Sequence, residues 1–204
     1  MPPAFSPEER ARITRLLLDS GRDLFTRQGL RKTSLEELVA RAGIVKSSFY
    51  LFFDSKEALY LELMLQEAGA VKRRVIDDAL LTTADTRDAL RRFLRAALDE
   101  LSGNPLWRRL TTHPDEMQAV ARKLAPDRVA AMSDNPATAL TEFVVSKQRD
   151  GELIDTDPAV VVGALQTVLL VPLYADRLGD PYPQILDLLI DLVTAGLTEH
   201  KGRN

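Results

Sequence analysis

Residues 42 to 59 read AGIVKSSFYLFFDSKEAL, and within them Lys46, Ser47, Ser48, Tyr50 and Lys56 place ammonium and hydroxyl donors close together in the chain. Ammonium groups neutralise phosphates, and hydroxyls hydrogen-bond phosphate oxygens or base edges. The chemistry these residues suit is recognition of duplex DNA. Catalysis has little to compete with it: His113 and His200 are the only histidines and lie far apart. There is no Gly-rich phosphate loop, no Ser-His-acid set and no HExxH. The chain has no cysteine, which excludes disulfides, thiolate metal sites and cysteine nucleophiles. No cofactor and no metal site are expected.

Donors of this kind need a short helix that can enter a groove and helix starts whose free amides face phosphates. The surrounding periodicity supplies both. A first helix is expected from about Pro7 to Gln28, with Ile13, Leu17 and Leu24 on one stripe, Leu16 and Phe25 beside it, and Gly29 placed to stop it. Thr33 and Glu36 have capping-box spacing, so a short helix is expected from Thr33 to Ala42, burying Leu35, Leu38 and Val39. Gly43 makes a turn, and a second short helix spans about Lys46 to Phe53. Leu35, Leu38, Ala42, Ile44, Phe49 and Phe52 or Phe53 would lock this pair against the first helix. Asp54 and Glu57 suggest another capping box, opening a long helix from Ser55 to about Leu80. On these residues alone a blander reading also stands, an all-helical protein in which Lys46 is a solvated lysine and Tyr50 a half-buried aromatic.

The order of elements resembles the DNA-binding domain of TetR-family transcriptional regulators. The matching residues are Leu24-Phe25, Gly29, Thr33-Ser34, Ala42-Gly43-Ile44, Phe49-Tyr50, Phe53 and Lys56-Glu57-Ala58-Leu59, within Arg12–Leu63. The resemblance implies DNA-contact roles for Thr33, Ser34, Lys46, Ser47, Ser48, Tyr50 and Lys56. Thr33, Tyr50 and Lys56 would hold phosphates, and Lys46, Ser47 and Ser48 would face bases or adjacent phosphates. Phe49 and Phe53 would be core. Two positions depart from the family pattern. Val45 stands where a capping Ser is usual, which costs the recognition helix about 1 kcal/mol of cap. Leu51 stands where a polar residue is common, and either apolar side chain suits a thymine methyl.

The rest of the chain also reads as helices. Asn104-Pro105, Asn135-Pro136 and Asp157-Pro158 pair a capping side chain with a proline suited to the first helical position, and Pro114, Pro126 and Pro183 mark further starts or kinks. Pro158–Leu178 and Tyr182–Glu199 are apolar nearly all round, so each must be buried on more than one side. A domain core on one side and a second copy of the chain on the other satisfies that; a fully internal helix is the alternative. Pro172 removes one backbone hydrogen bond and should kink the first of them near Leu169. Phe93, Trp107, His113, Met117, Phe143 and Tyr174 are candidates for lining a ligand cavity, with Leu101 and Met132 beside them. Core packing is the commoner use of such side chains. An acidic ligand would suit the cavity if Arg108 or Arg109 faces inward.

Composition fits this picture. Hydrophobic residues make up 45% and charged residues 28% of the 204, an ordinary globular balance. Net charge is -3, but it divides: residues 1–56 carry 10 basic and 7 acidic side chains, whereas the remainder carries 17 and 23. The basic part is the part with the helix-turn-helix pattern. The polar start lacks an apolar signal core, and Gln166, Thr167, Pro172, Asp187 and Asp191 interrupt the most apolar stretches, so a cytoplasmic protein with no membrane partner is expected. The expected fold is all-α: a three-helix helix-turn-helix domain over 1–55, then a helical ligand-binding and dimerisation domain over 56–204. The expected partners are an operator in double-stranded DNA, a second copy held through the last two long helices, and a small-molecule effector. Recruitment of a protein partner without ligand sensing, and an enzyme or carrier with a coincidental helix-turn-helix, are the rival classes.

Overall fold

The structure, a computed structural model, describes residues 5–122 and 135–198, without the side chains of Pro114, Met117, Ala119 and Ala121. Pro126, Met132 and His200 lie outside the described residues, and so does the side chain of Met117. Every regular element among the described residues is helical, as the all-α reading requires. By contact the chain forms two compact units, one of Met1–Glu67 with Asn104–Met132, the other of Ala68–Gly103 with Ser133–Asn204. The first unit is therefore discontinuous, and residue 55, where the charge changes sign, falls inside it.

In the first unit, α1 (Pro7–Lys32) is capped by Ser6, whose hydroxyl accepts from the Glu9 N–H while the Glu9 carboxylate accepts from the Ser6 N–H. Its buried stripe is Ile13, Leu17, Ser20, Gly21 and Phe25. Gly29 breaks the helical path with φ 78° and ψ 173°, and one more turn follows before Thr33. The cap of α2 (Leu35–Ala40) sits one residue later than the spacing suggests: Ser34 and Glu37 form the capping box, not Thr33 and Glu36. The reason is local, because the Thr33 hydroxyl donates to the Gly29 carbonyl at 2.8 Å and belongs to the end of α1. After the Gly43 turn (φ 66°) comes α3, which is shorter than expected at Lys46–Phe49. Ser55, not Asp54, caps α4 (Lys56–Lys72), its hydroxyl accepting from the Ala58 N–H at 3.1 Å. A short π-helical turn, Arg73–Asp77, ends α4 well before Leu80.

The core of this unit gathers Leu17, Phe25, Leu38, Phe49, Leu59 and Tyr60 from α1 to α4. Two helices from beyond residue 103 complete it. Leu106 and Leu110 of α6 (Pro105–Thr112) and Val120 of α7 (Pro114–Ala121) are buried in the same cluster. Asn104 caps α6 by accepting from the Trp107 N–H at 3.1 Å.

In the second unit, α5 (Thr86–Gly103) packs against the last helix, and α8 (Pro136–Arg149) against α9 (Pro158–Val168). Asn135 and Asp157 cap α8 and α9 as their Asn-Pro and Asp-Pro pairs imply. α9 ends with Leu169 as its C-cap, and Pro172 lies in a 3-10 turn, Val171–Tyr174, that leads into α10 (Ala175–Leu178). Pro158–Leu178 is long and apolar enough by composition to cross a membrane, but these breaks divide it. The last helix, α11 (Tyr182–Thr198), is stapled to α5 by Arg91–Asp191 at 2.5 Å and Arg95–Asp187 at 3.4 Å. It buries Ile190, Thr194 and Leu197. Its other side is open, with Leu188 59% and Leu192 61% exposed and Ile185 in line with them.

Candidate nucleic-acid interface

α3 hangs on one side chain. Phe49 is fully buried, its ring 5.8 Å from Tyr50 edge-on and 6.0 Å from Phe53. Phe53 and Phe52 are only partly buried, against the rim of the same core. The far end of the segment is pinned by Arg10, which donates to the Leu51 carbonyl at 2.7 Å and stands 5.1 Å from the Phe52 ring centre. Nothing in the sequence pairs Arg10 with residues some forty positions away, so no sequence signal points to this anchor.

With Phe49 turned inward, the rest of α3 faces out. Lys46 and Ser47 are exposed, Ser48 is half-buried beside them, and Tyr50 is 54% exposed. Val45 occupies the N-cap with no side-chain hydrogen bond, as its side chain dictates, and stands 67% exposed. Leu51 is also exposed. The surface therefore offers an ammonium, two hydroxyls and a phenol, flanked by two apolar side chains that no buried packing explains.

Lys46 is held across the turn by Glu36 of α2 at 2.7 Å. Their hydrogen bond pushes the lysine pKa up and holds the glutamate below the usual carboxylate range. The capping-box spacing misassigns Glu36: Ser34 and Glu37 form the cap, and Glu36 instead holds the Lys46 ammonium.

Three other expected contact residues are engaged within the unit. Thr33 is 1% exposed, with its hydroxyl on Gly29. Ser34 caps α2. The Lys56 ammonium donates to the carbonyls of Leu30 at 2.9 Å and Thr33 at 2.8 Å, closing the end of α1. Together they fix where α2 begins, and α2 carries α3.

Behind them lies a buried ionic cluster. Glu116 of α7 accepts from Arg109 at 2.7 Å and from the Tyr60 hydroxyl at 2.8 Å. Burial pushes the Glu116 carboxyl up, but the bonds from Arg109 and Tyr60 outweigh it and hold the group below its ordinary range. Burial, and then the carboxylate beside it, pushes the Tyr60 hydroxyl far up. A second tie joins the same parts: Glu67 of α4 takes Arg22 of α1 and, at 2.8 Å, the side-chain amide of Asn104.

The candidate cavity residues fall in different units. Trp107 is half-buried against the first unit's core, and His113 is exposed at the start of α7, its ring nitrogen 2.9 Å from the Thr112 hydroxyl. In the second unit Phe93 is buried on α5, Phe143 and Leu101 are half-buried, and Tyr174 is 53% exposed with Arg177 beside its ring. Arg109 does face inward, but its charge is answered by Glu116, while Arg108 is exposed.

Comparison with known proteins agrees with this geometry. Residues 17–63 match the family model for bacterial regulatory proteins of the tetR family. YdgC of Bacillus subtilis, an uncharacterized HTH-type transcriptional regulator, is 32% identical over 80 residues, 39% of this chain and 41% of that protein. The chain thus aligns with well under half the length of that curated relative. A TetR-family regulator from Marinobacter aquaeolei superposes with a TM-score of 0.68 at 16% identity, over 96% of this chain and 100% of that one. AibR, solved in complex with isovaleryl coenzyme A and operator DNA, superposes at 0.65 with 17% identity, over 88% of this chain and 97% of that one. At such identities the structures speak for the fold, and the match over residues 17–63 makes the helix-turn-helix segment similar to that of bacterial regulatory proteins of the tetR family.

Proposed function

We propose that this protein is a cytoplasmic, homodimeric one-component transcription regulator, a repressor that holds a palindromic operator and leaves it when a small molecule binds. The observation that carries the reading is the outward face of α3, where Lys46, Ser47 and Tyr50 are exposed on an element whose one inward residue, Phe49, is fully buried. That face lies within the residues matched to the family. The open apolar side of α11 supports a dimer, which would set two α3 helices at half-sites about one helical turn or a multiple apart. The effector would act as a population shift, favouring a dimer whose reading helices are spaced wrongly for the operator. AibR combines a coenzyme A thioester with operator DNA on this fold, so acyl-coenzyme A esters are the first effectors to try.

The test is selection of the purified protein against random duplex DNA at fixed, near-physiological salt. An inverted repeat is the expected product, and release of it by an effector completes the reading. No enrichment by a folded dimer overturns operator binding; binding that no small molecule releases favours recruitment of a protein partner.

On the selected operator, Lys46→Ala and Tyr50→Ala are each expected to weaken binding about tenfold with the dimer intact. If Lys46 meets a phosphate, its loss also lowers the slope of log K against log salt by about one ion. Unchanged affinity in both variants removes the proposed roles. Glu36→Gln is expected to act oppositely. It frees Lys46 and removes a negative charge beside the DNA, tightening binding by about two- to fivefold at low salt, with the gain fading as salt rises. Fluorescence anisotropy over a salt series reads both effects, and an affinity indifferent to Glu36→Gln discards the competition.

A further inference from the structure

We infer that Val45 and Leu51, the two apolar side chains that bracket the donors of α3, are specificity-determining residues: each packs on the C5-methyl group of a thymine in the operator half-site. The inference rests on the operator reading above and names bases which that reading leaves open.

Val45 is 67% and Leu51 47% exposed. A single exposed aliphatic side chain needs no explanation. These two stand immediately on either side of the outward segment, Val45 before Lys46 and Leu51 after Tyr50. The exposed residues between them, Lys46, Ser47 and Tyr50, all carry a hydrogen-bonding group.

Both apolar residues are held in place by their backbone. The Val45 carbonyl accepts from the Ser48 N–H at 2.9 Å, and the Leu51 N–H donates to the Ser48 carbonyl at 3.1 Å. The Leu51 carbonyl accepts from Arg10 at 2.7 Å. Both backbone polar groups of Leu51 are therefore engaged within the protein, and only its side chain is left to meet a partner. Valine is stiff at χ1, so Val45 presents a fixed isopropyl group at the N-cap, where a hydroxyl would have stabilised the helix.

An aliphatic side chain gains nothing from a phosphate. On the base edges of the major groove the thymine C5-methyl is the apolar group among donors and acceptors. Burying it against Val45 or Leu51 removes apolar surface of both partners from water. The two residues are six positions apart along a helix continued by a tight turn, a rise of about 9–12 Å. At ~3.4 Å per base pair, the two thymines should lie about three or four base pairs apart in each half-site.

The probe is the operator selected by the wild-type protein, with each thymine of the half-site replaced in turn, symmetrically in both halves, by deoxyuridine, which lacks only the methyl group. Affinities of the full-length protein are read by anisotropy, and urea midpoints are measured on Val45→Ser and Leu51→Ser. For the wild type, loss of the methyl at two positions is expected to weaken binding about fourfold per half-site, more than about tenfold for the symmetric duplex. Val45→Ser should abolish the sensitivity at one of these positions and Leu51→Ser at the other, which a merely structural role would not do. Val45→Ser also supplies a capping hydroxyl, so its urea midpoint should not fall and its weaker binding to the thymine operator cannot come from a lost helix. Wild-type affinity indifferent to every deoxyuridine, or a sensitivity that both variants retain in full, overturns the inference. Failure of the wild type to select any operator is a different result and overturns the operator reading.

Discussion

Gly29→Ala is expected to destabilise the first unit by about 4 kcal/mol or more, out of a total of about 5–15 for a typical domain. Two effects add. With φ 78° and ψ 173°, Gly29 occupies a backbone region essentially closed to side-chain-bearing residues, and forcing alanine into it costs about 1–3 kcal/mol. The new methyl would also stand where Arg109 and Glu116 now meet. Separating a buried ion pair leaves an uncompensated charge, and breaking such a pair costs about 3–5 kcal/mol. Gly43→Ala is the control, because Gly43 shares the positive φ but a methyl group there would meet nothing within 4 Å. It should lose only the backbone contribution, about 1–2 kcal/mol. Urea denaturation of both variants checks the difference, and equal losses would show that the contact with α6 and α7 carries no energy.

The second large effect concerns the dimer. Leu188→Glu with Leu192→Glu places two carboxylates on the open side of α11, one turn apart. In the single chain these positions are 59% and 61% exposed, so the monomer fold should be kept and its circular dichroism unchanged. In a dimer joined there, each copy loses two leucine side chains worth about 1.5–3 kcal/mol apiece on burial. Each also brings charges whose desolvation costs several kcal/mol per ion. The dimer dissociation constant should rise by more than about a thousandfold, and operator affinity should fall by a similar factor as the two half-sites come to be bound independently. Sedimentation velocity reads the first and anisotropy the second. A variant that remains dimeric places the interface elsewhere.

How much can be read in the chain depends on how local the cause is. Asn104, Asn135 and Asp157 announce their helices because the cap and the proline are adjacent, and Pro172 announces a break because it lacks an N–H. Gly29 and Gly43 are legible for the same reason. The one-residue error at Thr33 arises where two capping boxes, Thr33 with Glu36 and Ser34 with Glu37, overlap in sequence; the Gly29 carbonyl decides between them by taking the threonine hydroxyl. The outward donors of α3 follow from Phe49 being its buried residue. The roles of Lys56, Arg10 and Glu116 do not, because each acts through a partner distant in sequence: Lys56 through Thr33, Arg10 through Leu51, and Glu116 through Tyr60. Such pairs leave no periodic trace. The apolar excess of the last helix is visible as composition, while the division into a buried side at Ile190 and an open side at Leu188 and Leu192 needs the packing.

Because the first unit is discontinuous, residues 5–67 leave the ribosome carrying all of α1 to α3 while Leu106, Leu110, Glu116 and Val120 are still untranslated. At about 5–20 residues per second, some 3–10 s pass before α6 and α7 emerge to cover Tyr60. During that interval the helix-turn-helix is complete in sequence and incomplete as a folded body. The body that presents α3 is completed only after more than half of the polypeptide has been made.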